Sequence, residues 1–101
     1  MNPMQIEAYD YYKESDAPFI IFFRIGNNYV VLKDDAKKVS EALNVPLEDG
    51  CVTFPVDGIL DVLGELSGRG LIAKTVTYRD DAGRYTIPDV TRLKAEKELD
   101  Q

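Results

Sequence analysis

The chain has 101 residues, of which 45% are hydrophobic and 30% charged, and its formal net charge is −6. This length and balance fit one folded domain with one modest core, and they exclude two domains or a disordered chain. With one cysteine and no histidine, an intrachain disulfide and an ordinary zinc site are excluded, and the commonest general base is missing.

The N-terminal residues predict a short helix. Asn2 can cap it, Pro3 suits its first turn, and apolar side chains recur at helical spacing over residues 3–14. Tyrosines at such spacing usually pack on a core with their hydroxyls at its edge. We therefore interpret three of them as core residues rather than base-stacking residues: Tyr9, Tyr11 and Tyr12.

A β-hairpin is predicted next. Residues 19–25 are apolar on both faces apart from Arg24, which is typical of a central strand in a sheet covered by helices. The turn Gly26-Asn27-Asn28 contains residues that tolerate positive φ, so it predicts a tight connection into a strand over residues 29–33.

A second helix and a third strand follow the hairpin. Asp34 or Asp35 can cap the helix, whose buried stripe begins at Ala36. Residues 44–50 contain a proline and a glycine and predict a loop, and residues 51–54 predict a short buried strand.

The third helix is predicted to begin after Asp57 as its cap and to bury four apolar side chains: Ile59, Leu60, Leu63 and Leu66. Gly64 costs about 1 kcal/mol relative to alanine inside a helix. We therefore expect the helix to pack closely on the sheet at this residue. The glycines at 68 and 70 predict its end, and no phosphate-loop pattern accompanies them.

The C-terminal quarter predicts a second hairpin and a last helix. Residues 71–79 and 84–87 are strand-like, and an Asp-Asp-Ala-Gly turn separates them. Pro88-Asp89 starts a helix that extends to about Leu99. This helix has few apolar residues, so we expect it to pack lightly or to dock on a partner.

These elements predict one domain over residues 1–101 in the α/β (α+β) class. Its mixed β-sheet is flanked by helices, and the element order is α-β-β-α-β-α-β-β-α. The first hairpin should be antiparallel, while helical crossovers make the later strands candidates for parallel pairing.

The hairpin and the following helix share a motif made of Phe22, Phe23, Gly26, Tyr29, Leu32, Asp35, Ala36 and Ser40. At these residues the segment resembles the mismatch-recognition domain at the N-terminus of the MutS family, whose pattern is roughly L-F-F-x-M-G-D-F-Y-E-L-F-x-x-D-A-x-x-A-S. The resemblance is strongest over residues 2–76. It also includes Asn2-Pro3-Met4, Lys13, Phe54-Pro55-Val56-Asp57, Leu60, Leu63, Gly70 and Ala73. Residues 77–101 lie beyond it.

Two departures bear on function. In the family, a Phe wedges beside the mispaired base and a Glu two residues later hydrogen-bonds that base; here these positions are Asn28 and Val30. Asn lacks an aromatic stacking surface, and the Val side chain neither donates nor accepts a hydrogen bond. We therefore expect the scaffold without its mismatch-reading pair. Asp57 also replaces a histidine of the family pattern.

The resemblance implies a stand-alone binding module with weak, non-specific DNA binding, because the ATPase and clamp regions of the family do not fit in this length. The candidate phosphate contacts are the cations Arg24, Lys33, Lys37, Lys38, Arg69 and Lys74. Asn28, Tyr29 and Val30 complete the candidates, since they stand at or beside the mismatch-reading positions.

The alternative is a protein-interaction or regulatory module that does not bind nucleic acid. An acidic chain is a poor ligand for phosphates unless its cations cluster. Lys33, Lys37 and Lys38 do cluster, but acidic residues are interleaved with them, which is more typical of a solvated helix face.

An enzymatic role is the weakest hypothesis. The carboxylates that could support one, Asp34, Asp35, Asp57 and Asp61, stand at helix starts, where capping explains them. We expect no catalytic residue, cofactor, metal or small-molecule substrate. The longest apolar runs are far too short for a membrane span and no secretory leader pattern is present, so a cytoplasmic location without membrane binding is expected.

Overall fold

The computed structural model describes residues 1–99, and the polypeptide in that range alternates helices with strands. The elements are α1 (Pro3–Asp16), β1 (Ile20–Ile25), β2 (Asn28–Leu32), α2 (Lys33–Leu43), β3 (Cys51–Pro55), α3 (Ile59–Gly68), β4 (Ala73–Val76) and α4 (Val90–Leu99). None of the helices in this range is long and apolar enough to cross a membrane.

The strands form one mixed sheet in the order β3-β2-β1-β4. β1 is antiparallel to β2 and parallel to β4, and β2 is antiparallel to β3. This confirms the predicted class, the mixed sheet and the antiparallel first hairpin. β1 is central because both of its faces are apolar, and the side chains of Ile20 to Phe23 are almost completely buried.

Each face of the sheet carries its own apolar cluster. On one face, Ile21, Phe23 and Val30 pack against α1 and against Ile87 and Val90 at the start of the C-terminal segment. On the other face, α2 and α3 cover a second cluster, whose buried members are Ile20, Phe22, Val31, Ala36, Val39, Val52 and Leu66. The predicted helices therefore flank the sheet on both sides.

The start of α1 confirms its sequence prediction. The Asn2 side chain accepts a hydrogen bond from the backbone N–H of Gln5 at 2.9 Å, and the Gln5 side chain accepts from the N–H of Asn2 at 3.0 Å. This reciprocal pair satisfies two of the N–H groups that a helix start leaves free. Tyr9 is buried, and Tyr11 and Tyr12 pack at the edge of the same cluster, as predicted.

The start of α2 differs from its sequence prediction. Leu32 occupies the cap position and no side chain caps the helix. Asp35 instead points into the protein and is 1% exposed. Its carboxylate accepts from the Lys13 ammonium at 3.0 Å, from the Ile21 N–H at 3.0 Å and from the Tyr9 hydroxyl at 3.4 Å. One carboxylate thus joins α1, β1 and α2.

The start of α3 also differs. Gly58, with φ of 86°, is the cap, and no side chain bonds there, so Asp57 does not cap this helix. Leu60 is 79% exposed rather than buried. A Cβ placed on Gly64 would meet no atom within 4 Å, so close packing does not explain this glycine. Both Leu60 and Gly64 lie on the outer side of the helix.

The predicted second hairpin is much reduced. β4 covers only Ala73–Val76, and beyond it the two sides of the turn share a single bridge between Arg79 and Tyr85. Residues 84–87 therefore form no strand, and the order within residues 1–99 is α-β-β-α-β-α-β-α. The turn itself is held by the Asp80 side chain, which accepts from the N–H groups of Ala82 and Arg84, both at 2.9 Å.

Candidate functional site

A cleft of about 550 Å³ opens where β1 turns into β2, with Arg24, Asn27, Asn28, Pro55, Val56 and Asp57 as its lining. Its walls follow from strand pairing. Asn28 stands opposite Pro55 in the β2–β3 ladder, and the N–H of Val56 donates to the Asn27 carbonyl at 2.9 Å. The positive φ of Gly26 allows the turn. The cleft therefore lies at the hairpin end of the sheet, beside Asn28, one of the candidate nucleic-acid contacts.

Four side chains form an arginine–tyrosine cluster beside this cleft: Arg24, Tyr29, Arg79 and Tyr85. The Arg24 guanidinium carbon lies 4.2 Å from the centroid of the Tyr85 ring and 5.8 Å from that of Tyr29. The Arg79 guanidinium carbon lies 4.6 Å from the Tyr85 centroid. Both arginines thus contact the same aromatic ring, at distances typical of cation–π interactions.

Backbone and side-chain hydrogen bonds hold this cluster against the hairpin turn. The N–H of Gly26 donates to the Tyr85 carbonyl at 3.0 Å, and Arg24 Nε donates to the Gly26 carbonyl at 2.7 Å. The Arg79 guanidinium donates to the Tyr85 hydroxyl. This hydrogen bond, with the positive charge of Arg79 second, lowers the pKa of Tyr85 below its ordinary value.

The chemistry available to the cluster is stacking and anion contact. Guanidinium planes and tyrosine rings stack on nucleobases whatever the base, and arginine pairs bidentately with phosphate. Arg79 is exposed, and Arg24, Tyr29 and Tyr85 are half-buried. The Asp57 carboxylate on the lining of the cleft opposes an anion there.

The candidate nucleic-acid contacts of the first hairpin do not all lie at the cleft. Arg24 and Asn28 line the cleft, and Tyr29 lies beside it, near Arg24. Val30 does not: it is 9% exposed and belongs to the core on the α1 side of the sheet. Its inclusion among the nucleic-acid contacts was wrong, because strand alternation turns its side chain into that core.

The predicted lysine contacts do not form one basic surface. Three of them pair with carboxylates: Lys33 with Asp10 at 3.2 Å, Lys37 with Asp34 at 3.8 Å and Lys74 with Asp16 at 2.8 Å. Lys37 and Lys38 are on α2, Arg69 follows α3, and Lys74 is on the edge strand β4. Acidic neighbours therefore offset much of the positive charge.

Arg79 and Tyr85 were missed as candidates. Their signal in the sequence is an Arg next to a Tyr on each side of the Asp-Asp-Ala-Gly turn, Tyr78-Arg79 and Arg84-Tyr85. The bridge across this turn places Tyr85 beside Arg79, and the hydrogen bond from the Gly26 N–H to the Tyr85 carbonyl brings it back to the first hairpin. In the described range, 1–99, no three His, Cys, Asp or Glu side chains group closely enough to hold a metal ion.

Comparison of the chain with models of known protein families finds no match, and a search of curated proteins finds none with significant similarity. The function is therefore inferred from the residues of the site.

Proposed function

We propose that this chain is a stand-alone binding module similar to the N-terminal domain of the MutS family, without mismatch reading, that contacts nucleic acid weakly and without sequence preference. The observation that supports this most is the arginine–tyrosine cluster beside the hairpin turn. There, two guanidinium groups lie within 4.6 Å of one tyrosine ring. We propose a binding role rather than a catalytic one, in the reducing cytoplasm where a free cysteine is ordinary.

Weak binding follows from the charge distribution. Most non-specific affinity for nucleic acid comes from cations that neutralise phosphates. Here the net charge is −6, and three of the candidate lysines already have carboxylate partners. Stacking contributes about 1 to 3 kcal/mol per base, so one cluster supports only low affinity.

Loss of mismatch reading follows from the two departures in the family pattern. Asn28 is exposed at the hairpin end but has no ring to insert between bases. Val30 is apolar and faces the core. A Glu at this position would have to place its carboxylate in that core, where an unpaired charge is strongly disfavoured. Neither residue supports discrimination of a mispair.

The proposal is tested by titrating labelled nucleic acids with the protein and following fluorescence anisotropy at low and moderate salt. We use a matched duplex, a duplex with one mispair and a single strand. We expect weak binding that falls steeply with salt and does not favour the mispaired duplex over the matched one. Absence of binding at low salt would refute nucleic-acid contact, and selective binding of the mispair would refute the loss of mismatch reading.

Variants locate the contact. Arg79→Gln and Tyr85→Leu should each weaken binding severalfold, because one removes a charge and the other a stacking ring. Arg69→Gln is the comparison for Arg79→Gln: Arg69 is exposed and was also a candidate phosphate contact, but it follows α3, outside the cluster. Equal losses in Arg79→Gln and Arg69→Gln would indicate diffuse electrostatics and contradict a role of the cluster.

A second candidate function is a protein-interaction module, and the outer side of α3 favours it. Leu60 is 79% exposed there, and Asp57 and Asp61 are exposed beside it. An isolated apolar side chain with acidic neighbours suits a protein partner better than it suits phosphates. The same titration separates the two functions, because only the first predicts binding of the labelled strands.

A further inference from the structure

The outer edge of β4 carries backbone groups that the sheet leaves free. The Ile20 N–H donates to the Ile72 carbonyl at 2.9 Å, and Ile20 is the register partner of Ala73. In a parallel ladder this pattern directs the backbone of Lys74 and Val76 toward β1 and that of Ala73 and Thr75 outward. Among residues 1–99, no group bonds to the outward N–H or C=O of Ala73 or Thr75.

The opposite edge of the sheet, β3, is closed by contrast. The Lys33 N–H donates to the Gly50 carbonyl, which fixes the ladder so that Cys51, Thr53 and Pro55 direct their backbone outward. Cys51 exchanges two hydrogen bonds of 2.9 Å with Glu48. Pro55 has no N–H to donate. Thr53 alone keeps both a free donor and a free acceptor, so this edge cannot pair well with another strand.

The charge that usually protects an edge strand is neutralised on β4. Lysine on an edge opposes pairing because a second strand would have to bury or crowd its charge. Lys74 is the charged residue of β4, and its ammonium lies 2.8 Å from the Asp16 carboxylate at the end of α1. The ion pair draws the side chain back over its own protein, and the edge stays accessible.

We infer that β4 pairs antiparallel with β4 of a second copy of this chain, around a twofold axis at Thr75. Thr75 then faces itself, and Ala73 faces Thr77 of the second copy. The backbone alternation of the strand gives about six hydrogen bonds between the two chains in this register. The two four-stranded sheets become one continuous sheet.

The surface beside β4 suits a second copy in particular. A groove of about 240 Å³ runs along the α1 side of the strand, where Glu14 and Asp16 lie with Lys74 and Lys97. A twofold interface brings one surface against itself, so it needs both signs of charge. Ile72, 50% exposed, precedes the strand and faces Tyr78 of the second copy in this register. Because β3 is closed, the assembly ends at the dimer.

Sedimentation equilibrium of the full chain at increasing concentration tests the inference. We expect a monomer–dimer equilibrium with a dissociation constant below about 1 mM. Thr75→Pro should weaken association about tenfold or more. It removes the outward N–H of residue 75 and places a proline ring on the edge, but it removes no backbone hydrogen bond to β1. Thr53→Pro is the matched control: it makes the same change on β3 and should leave association unchanged.

Variants with opposite charges at position 75 test the pairing of two β4 strands even if Thr75→Pro does not fold. Like charges directly opposite each other across strands repel, and unlike charges attract. Thr75→Lys alone and Thr75→Glu alone should therefore be monomeric, while their equimolar mixture should form a heterodimer. A wild-type chain that stays monomeric up to about 1 mM overturns the inference. Dimers that persist in both single variants overturn it as well. Because no nucleic acid is present, these results are independent of the proposed function.

Discussion

Replacing Asp35 by Asn should cost much of the stability of this domain. The substitution keeps the shape of the side chain but removes a charge that is 1% exposed. Removing one member of a buried ion pair costs about 3 to 5 kcal/mol, because the remaining charge loses its partner. Here the side chain of Lys13 remains 17% exposed and keeps its 2.7 Å hydrogen bond to the Phe19 carbonyl. The Asn oxygen can still accept from Ile21. We therefore expect a loss of about 2 to 3 kcal/mol.

Urea unfolding followed by circular dichroism measures this loss. A loss of this size lowers the melting temperature by about 10 to 20 °C in a domain of this length. Asp10→Asn is the matched control. It makes the same substitution in the exposed pair with Lys33, where the two side chains are 61% and 32% exposed. Exposed pairs contribute about 0.2 to 1 kcal/mol.

The comparison of the two Asp→Asn variants tests whether Asp35 stabilises the domain more than an exposed ion pair does. If Asp35→Asn and Asp10→Asn lower the free energy of unfolding equally, Asp35 does not hold α1, β1 and α2 together. Adding Lys13→Met to Asp35→Asn completes a double-mutant cycle. We expect Lys13→Met to cost less in the Asp35→Asn background than in the wild type, since its partner is already gone.

Three further outcomes are expected. Gly64→Ala should raise the free energy of unfolding by about 0.5 to 1 kcal/mol, while Gly58→Ala should lower it by about 1 kcal/mol. Both sites have room for a Cβ atom, but of the two only Gly58 has a positive φ, 86°. Thermal melts of the two variants measure these changes. Burial, and secondly the negative charge of Asp35, raises the pKa of Tyr9 to about 12. The stability from its neutral phenol is therefore complete below about pH 10 and disappears as the pH rises toward 12. Tyr9→Phe should make the free energy of unfolding less dependent on pH in that range. Arg79→Gln should raise the pKa of Tyr85, because it removes the hydrogen bond that lowers this pKa, and an unchanged ring titration by NMR would contradict the contact.

The central part of the fold could be predicted because local signals and burial agree there. A run of apolar residues on both faces predicted that β1 lies in the middle of a covered sheet, and Asn2 with Pro3 predicted the start of α1. The tight turn after Ile25 predicted the antiparallel hairpin. In each case one chain segment contains the whole signal, so no distant contact is needed to interpret it.

The sequence predictions were wrong where a distant residue changes the role of a local one. An Asp in the first turn of a helix has the same local pattern whether it caps the helix or turns inward. The distant partners Tyr9, Lys13 and Ile21 make Asp35 a core residue. Leu60 matches a helical apolar stripe, but α3 buries only the neighbouring side of that stripe. Tyr85 belongs to the hairpin site through a hydrogen bond to Gly26, far away in sequence.

The three hydrogen bonds of the Asp35 carboxylate also limit which segments of this protein can be grafted onto another scaffold. The hairpin and α2 form a continuous segment that a designer would be tempted to graft onto another scaffold. Without α1, that graft would carry an anion facing an apolar interior with no counterion, because Lys13 comes from outside it. A portable unit therefore begins at Asn2, or else it exchanges Asp35 for a neutral side chain from the outset.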